Sequence, residues 1–286
     1  MKCVSEIKKI AIIGAGQMGA GIGLLAAHYG YQIIFNDVEQ RFIDSGLQRN
    51  QSWLDKQVQK GKLAQDKASS ISNLMSGVLS LEEAVKDVDL VIEAIIENLD
   101  IKKATWERIG KAAPPHTIFG SNTSSLSITE MAKASGRPQK FVGIHFFNPP
   151  IILKIIEYIK GYETSEETLQ QARGFGKSME MNTVTANETP GFIVNRLMIP
   201  QLNEAYYALQ EGVATKEDID TAMKFGLNHP MGPLTLSDFI GLDTILFIAE
   251  YLHSELGEKF RPCPLLRKMV RAGKLGRKTG EGFYKY

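Results

Sequence analysis

Lys8-Lys9-Ile10-Ala11-Ile12-Ile13-Gly14-Ala15-Gly16-Gln17-Met18-Gly19 is the stretch from which the fold of this chain can be read. An apolar run meets a glycine-rich turn. A helical pattern then covers residues 20–29, and a second apolar run, residues 31–35, ends on Asn36-Asp37. The order is strand, turn, helix, strand. Gly14 permits the tight turn, Gly16 lets backbone N–H groups approach a pyrophosphate, and Gly19 lets the helix pack close to the strand. The positive end of that helix favours the anion. A lone GxGxxG turn is weak evidence, but Asp37 stands about 20 residues on, at the end of the second strand. A carboxylate there accepts hydrogen bonds from both ribose hydroxyls of an adenosine and repels a 2′-phosphate. The stretch predicts a dinucleotide site preferring NAD to NADP, built on Gly14, Gly16, Gln17, Met18, Gly19 and Asp37.

Outward from this unit, helical patterns over residues 40–60 and about 64–74, joined at Gly61-Lys62, predict a two-helix arm inserted into the nucleotide-binding domain. Lys56, Lys60 and Lys62 lie near its bend, and their spacing alone favours a solvated face. Strand patterns follow at residues 78–80, 89–95, 117–120, 141–147, 154–160 and 183–186. They alternate with helical patterns at 101–112, from about Ser127 (with Glu130 as a capping-box partner), and at 165–179. Strand and helix in alternation predict an α/β domain with a doubly wound, mostly parallel sheet of the Rossmann type. Ligands of such sheets bind at the carboxyl ends of the strands. Asp37, Glu97, Ser124, His145 and Asn148 all fall at or near those ends.

The pattern changes at Glu188-Thr189-Pro190-Gly191, after which only helical periods occur, at 192–210, 215–225, 242–256 and 265–272. Pro230, Gly232-Pro233 and Pro262 to Pro264 mark breaks. The expected organisation is residues 1–188 as the nucleotide-binding domain and 189–286 as an all-helical domain. The apolar helix at 242–249 is rich for so small a unit, which suits either a bundle core or a dimer interface.

The totals narrow the function. The 286 residues are 43% hydrophobic and 23% charged with a net charge of +1, which gives no bulk electrostatic case for nucleic acid or an anionic membrane. No apolar run approaches the roughly 20 residues of a membrane helix. Cys3 and Cys263 form neither a metal-type spacing nor a disulfide framework, so no metal is expected and a reducing compartment fits. With the first strand starting by about Lys8 there is no room for a signal or transit peptide, and the cytoplasm is the default, a processed organellar form being the alternative.

A bound nicotinamide makes hydride transfer the reaction class, and the protein must then supply a general base. Histidine titrates in the right range. Of His28, His116, His145, His229 and His253, only His145 lies in a buried strand pattern, near the ligand edge of the sheet. Position alone leaves it open between a catalytic base and a satisfied core histidine. Glu157 sits among Ile155, Ile156 and Ile159, where a carboxylate is costly unless paired. It either pairs with His145, fixing its tautomer, or faces solvent on an edge strand beside Lys154 and Lys160. Ser124 and Asn195 offer donors for a substrate oxygen, though both residue types are common in turns and caps.

Five motifs taken together resemble the L-3-hydroxyacyl-CoA dehydrogenase family, short-chain 3-hydroxybutyryl-CoA type. They are the run from Ser121 to Leu126, His145-Phe146-Phe147-Asn148-Pro149 with Glu157, the run from Pro190 to Arg196, the run from His229 to Pro233, and the run from Gly276 to Tyr284. The resemblance covers nearly the whole chain in order. It implies that His145 takes the proton from the substrate's C3 hydroxyl while hydride passes to NAD, and that Glu157 supports the imidazolium. It implies that Ser124 and Asn195 hold the substrate oxygen, with Asn148 near the same pocket and Glu97 and Lys102 near the nicotinamide ribose. It further implies an acyl-CoA substrate met by the helical arm, with Asn50 and Lys56 as candidate contacts, and a homodimer through the helical domain. For the run from Gly276 to Tyr284 no role beyond closing the helical domain is evident. Gly23 departs from the pattern as an extra helix-weakening glycine, and Tyr158 and Tyr162 replace aliphatic residues. Two rival readings keep the fold: a gulonate-type sugar-acid dehydrogenase, and a non-catalytic NAD-binding structural protein. A lysine-based hydroxyacid dehydrogenase shares the glycine turn but not the motif at His145.

Overall fold

The computed structural model describes residues 7–286, and the chain divides into two compact units, Met1–Glu188 and Thr189–Tyr286. In the first unit β1 (Lys9–Ile13), β4 (Leu90–Glu93) and β5 (Ile118–Ser121) are buried along nearly their whole length. Continuous apolar runs of this kind form central parallel strands covered on both faces. Around them lie β2 (Gln32–Asn36), β3 (Met75–Gly77), β6 (Phe141–Phe146), β7 (Ile155–Lys160) and β8 (Asn182–Asn187). The sheet order is β3-β2-β1-β4-β5-β6-β7-β8. Every neighbouring pair is parallel except β6 and β7. The order reverses between β1 and β4, which is the switch point where a doubly wound sheet opens its ligand crevice.

The helices of this unit are α1 (Gln17–His28), α2 (Gln40–Gln59), α3 (Gln65–Asn73), α4 (Leu81–Val85), α5 (Leu99–Ala112), α6 (Ile128–Ala134) and α7 (Glu166–Ser178). The arm is α2 and α3. Gly23, anticipated as a weak point of α1, has a packing reason: a Cβ there would meet the Phe35 ring at 2.3 Å. Ser165 caps α7 by accepting the Thr168 N–H. Ser127 caps α6 by accepting the Glu130 N–H at 3.2 Å, but the Glu130 carboxylate pairs with Lys103. Glu188 takes the next amide, that of Thr129, together with the hydroxyls of Ser127 and Thr129.

Two expectations shift. The strand expected at 78–80 lies earlier, at Met75–Gly77, because Gly77 lets Ile43 of the arm sit where a Cβ would be, 2.2 Å from its Cγ2. The Asn36 amide then takes the carbonyls of Val78 and Leu79 out of the ladder, and Ser80 caps α4, a helix not anticipated.

The second unit contains α8 (Val194–Gln210), α9 (Lys216–Gly226), α10 (Pro233–Ile240), α11 (Leu242–Leu256) and α12 (Pro264–Arg271). Gly232-Pro233, anticipated as a break, is the start of α10, since proline suits the first helical position. The Asp220 carboxylate of α9 accepts the amides of Leu234 at 2.8 Å and Thr235 at 2.9 Å, placing negative charge at the positive end of α10. Cys263 is buried in this unit, and burial pushes its thiol up, away from thiolate chemistry. Cys3 lies outside the described residues.

The run from Gly276 to Tyr284 folds onto Asp238. That carboxylate, 1% exposed, accepts the amides of Phe283 at 2.9 Å and Tyr284 at 2.8 Å. A Cβ at Gly282 would lie 2.0 Å from Asp238 Oδ1, and one at Gly276 would lie 2.3 Å from the Asp238 carbonyl. The glycines of this run are set by that contact. Asp238→Ala leaves two amides without their charged acceptor and is expected to destabilise the helical unit by about 3 kcal/mol, read as a lowered midpoint in urea unfolding.

Candidate functional site

At the end of β1, Gly14 has a φ of +101°, and a Cβ on it would lie 2.6 Å from the Ala94 carbonyl of the neighbouring chain segment. A Cβ on Gly19 would lie 1.8 Å from the Gly14 carbonyl. The protein's own packing therefore demands both glycines. Gly16 is different: it is exposed, and a Cβ there would meet nothing within 4 Å. Nothing in the packing requires a glycine at this N-cap of α1, and no side chain among the described residues caps the helix. A group that approaches the backbone from the open side does require one, so the cradle fits a pyrophosphate. The Asp37 carboxylate is pinned beside the turn, Oδ2 accepting the Ala15 N–H at 2.8 Å and Oδ1 the Val38 N–H at 2.7 Å. Each oxygen keeps acceptor capacity for a ribose hydroxyl. Of the residues beside Asp37 that could soften repulsion of a 2′-phosphate, Asn36 is held by the backbone carbonyls of Val78 and Leu79, and Arg41 stands exposed in a surface pair with Glu39 at 2.9 Å. Gln17 reaches across to Asn148 at 3.2 Å, linking the turn to the loop after β6.

His145 and Glu157 stand directly opposite each other in the antiparallel β6–β7 ladder. Facing residues of such a pair share one side of the sheet. His145 Nδ1 lies 2.7 Å from Glu157 Oε2, with His145 4% and Glu157 0% exposed. A carboxylate can only accept, so Nδ1 carries the proton of this bond, which sets the orientation of the ring. The solvent-facing alternative for Glu157 fails because β7 is an interior strand, covered by β8. The other histidines sit in plainer surroundings. His28 is half-buried and held below the usual imidazole range by burial and then by Lys67. His116 pairs with Asp89 and His253 with Glu258 on the surface.

Beyond the ends of β4 and β5 lies a set of side chains that sequence reasoning only partly found. Glu93, wholly buried, accepts from Lys102 Nζ at 2.5 Å, the Ile95 N–H at 2.9 Å and Ser121 Oγ at 2.7 Å. Lys102 also reaches Glu97 at 3.3 Å. Glu97 Oε1 in turn accepts Thr123 Oγ1 at 2.5 Å and the Ser124 N–H at 3.0 Å. Asn122 accepts the Phe146 N–H at 2.9 Å, tying this loop to the residue after His145. Ser124, Glu97, His145 and Asn148 are thus brought together at the carboxyl edge of adjacent strands. Glu93 was detectable by the signal that marked Glu157, a carboxylate inside an apolar strand.

Lys102, Asn50 and Asn195 are placed differently from these residues. Lys102 is 1% exposed, its ammonium engaged by the two carboxylates, so it stands behind Glu97. Asn50 is buried and donates to the Ala20 carbonyl at 3.0 Å. It fixes α2 on α1 and is not on the arm's outer face, where Lys56 is exposed. Asn195 lies in the first turn of α8, in the second unit.

Residues 9–189 match the family described as 3-hydroxyacyl-CoA dehydrogenase, NAD binding domain, and residues 191–286 match its C-terminal domain. The chain is 49% identical over 98% of its length, and 98% of the relative's, to a probable 3-hydroxybutyryl-CoA dehydrogenase of Bacillus subtilis. It is 48% identical to a probable 3-hydroxybutyryl-CoA dehydrogenase of Deinococcus radiodurans, over 97% of this chain and 100% of that one. Its fold is similar to the crystal structure of the (S)-3-hydroxybutyryl-CoA dehydrogenase PaaH1 from Ralstonia eutropha, with a TM-score of 0.94, 40% identity and coverage of 98% and 99% of the two chains. With the glycine cradle and the buried His–Glu pair on the same sheet edge, the chain belongs to the 3-hydroxyacyl-CoA dehydrogenase family, NAD-dependent oxidoreductases.

Proposed function

We propose that this protein interconverts (S)-3-hydroxybutyryl-CoA and acetoacetyl-CoA with NAD, and that His145 is the base. The observation that carries this reading is the buried Nδ1 contact to Glu157, which orients the imidazole at the ligand edge of the sheet. NAD, when bound, supplies the hydride acceptor. In oxidation, His145 Nε2 takes the proton of the C3 hydroxyl as hydride leaves C3, and in reduction the imidazolium returns it to the forming alkoxide. Glu157, fully dry, stabilises the imidazolium as charge develops. Ser124 and Asn195 hold the substrate oxygen, and Glu97 and Asn148 border the nicotinamide end. Residues 1–188 are the NAD-binding domain and residues 189–286 the helical substrate and dimerisation domain. The exposed Lys56 of the arm meets a CoA phosphate as a point charge.

Two further elements belong to this proposal. The helical unit associates as a homodimer, supported by exposed apolar side chains that include Val213, Phe225, Leu227 and Phe239. Sedimentation equilibrium is expected to give a mass twice that of the 286-residue chain, and a monomer mass at micromolar concentration rejects the dimer. The protein works in the cytoplasm, in keeping with its bacterial relatives and its buried free thiol.

The direct test follows NADH oxidation at 340 nm with acetoacetyl-CoA. His145→Gln is expected to lower kcat by at least about a hundredfold, as removal of a general base does. A native protein that binds NADH yet does not oxidise it with this substrate rejects the CoA assignment, and gulonate with NAD is then the next substrate to assay. For the cofactor, Asp37→Ser is expected to raise the KM for NADH by about tenfold or more, the loss of a charged hydrogen-bond acceptor, and to narrow the gap to NADPH. An unchanged NADH-to-NADPH ratio removes Asp37 from the discrimination.

A further inference from the structure

The side chains at the ends of β4 and β5 hold more charge than packing needs. Glu93 is fully buried, and a buried carboxylate is tolerated only with counter-charge and hydrogen bonds. An apolar residue would fill the end of β4 at lower cost, so stability alone does not account for the Glu93–Lys102 pair. Besides the Ile95 N–H that Oε1 accepts, the links leading out from Glu93 end on one short segment. Oε2 accepts the Ser121 hydroxyl at the start of the loop. Oε1 fixes the Lys102 ammonium, which also takes the Ile95 carbonyl at 3.4 Å and Glu97 Oε2 at 3.3 Å. With Oε2 so held, Glu97 aims Oε1 at the Ser124 N–H and the Thr123 hydroxyl. Thr123 Oγ1 then accepts the Leu126 N–H at 2.9 Å and the Ser125 N–H at 3.3 Å, closing the turn around Ser124.

We propose that Glu93 is a positioning residue for the reaction: through Lys102 and Glu97 on one side and Ser121 on the other, it fixes where Ser124 meets the substrate oxygen. The inference rests on the reading that Ser124 contacts that oxygen. Glu97 is partly exposed, and without the buried pair behind it only the loop that it holds would orient it. Displacement of a substrate-holding group by about 1 Å can cost a hundredfold in rate. Glu93 Oε1 also accepts the Ile95 N–H, which borders Gly14 of the cofactor turn, so NADH affinity is the readout that separates an effect through that turn from one through the Ser124 segment.

The experiment is a double-mutant cycle of Glu93→Gln and Ser124→Ala, assayed with acetoacetyl-CoA, with NADH affinity measured separately by fluorescence. Glu93→Gln keeps the shape and removes one charge. Alone it is expected to lower kcat/KM by about tenfold, chiefly in kcat, with the NADH dissociation constant changed by less than about threefold. In the Ser124→Ala background the same change is expected to cost less than about threefold, because the loop it positions no longer carries the hydroxyl. Penalties that multiply in full overturn the proposal while leaving Ser124 as a substrate contact, and so does a loss confined to NADH affinity. A harmless Ser124→Ala overturns the Ser124 reading itself, and the inference with it. Should Glu93→Gln not fold, Ser121→Ala removes the hydroxyl that donates to Glu93 Oε2 and accepts the Thr123 N–H, and its cycle with Ser124→Ala is judged by the same criterion.

Discussion

The buried hydrogen bond between His145 and Glu157 is the constraint around which the catalytic edge is arranged. It requires the chain to reverse after β6, since antiparallel pairing puts these two residues face to face on one side of the sheet. It also requires β8, because a carboxylate on an uncovered strand would turn to water and release the imidazole. In water a carboxylate and an imidazole gain little from each other, whereas in a dry site the same pair is oriented and strong. The parallel scaffold, the single antiparallel step and the covering strand therefore work as one device.

The opposite pole of the crevice follows a different logic. Of its three glycines, Gly14 and Gly19 are explained by contacts within the protein, whereas Gly16 faces open space from which a ligand can approach the backbone. The Asp37 carboxylate is oriented by two backbone amides before any ligand arrives. In the proposed reading, backbone groups and a fixed carboxylate meet the adenosine end. At the other end side chains in a buried network, Glu93, Lys102 and Glu97, hold the loop of Ser124. Both ends are organised in advance, so binding need not order them.

Buried carboxylates recur as organisers in the helical unit. Asp220 satisfies the first amides of α10 and Asp238 the amides of the C-terminal run. Each offers two oxygens to backbone N–H groups that would otherwise be orphaned in a small core, and each excludes a Cβ from a neighbouring glycine: Gly232 at Asp220, Gly276 and Gly282 at Asp238. The glycine-rich motif at the C-terminus is a consequence of that packing.

The architecture and half of the candidate site were legible in the linear order of residues. Periods of two and 3.6, the glycine turn and the proline breaks marked most strands and helices, and the family motifs named His145, Glu157 and Ser124. These signals are local, and local signals survive in one dimension. The tertiary structure decided the rest. It moved β3 to residues 75–77, because pairing with β2 and the approach of Ile43 outweigh intrinsic propensity at Gly77. It turned Gly232-Pro233 from a break into a helix start, since Asp220 caps it from another element. It buried Asn50 and Lys102, which a motif marks without saying which way they face. It chose between the open alternatives for Glu157, because whether a carboxylate in an apolar strand is dry depends on which strand lies beside it. Pairing across the sheet joins residues far apart in the chain, and no spacing along the chain records it.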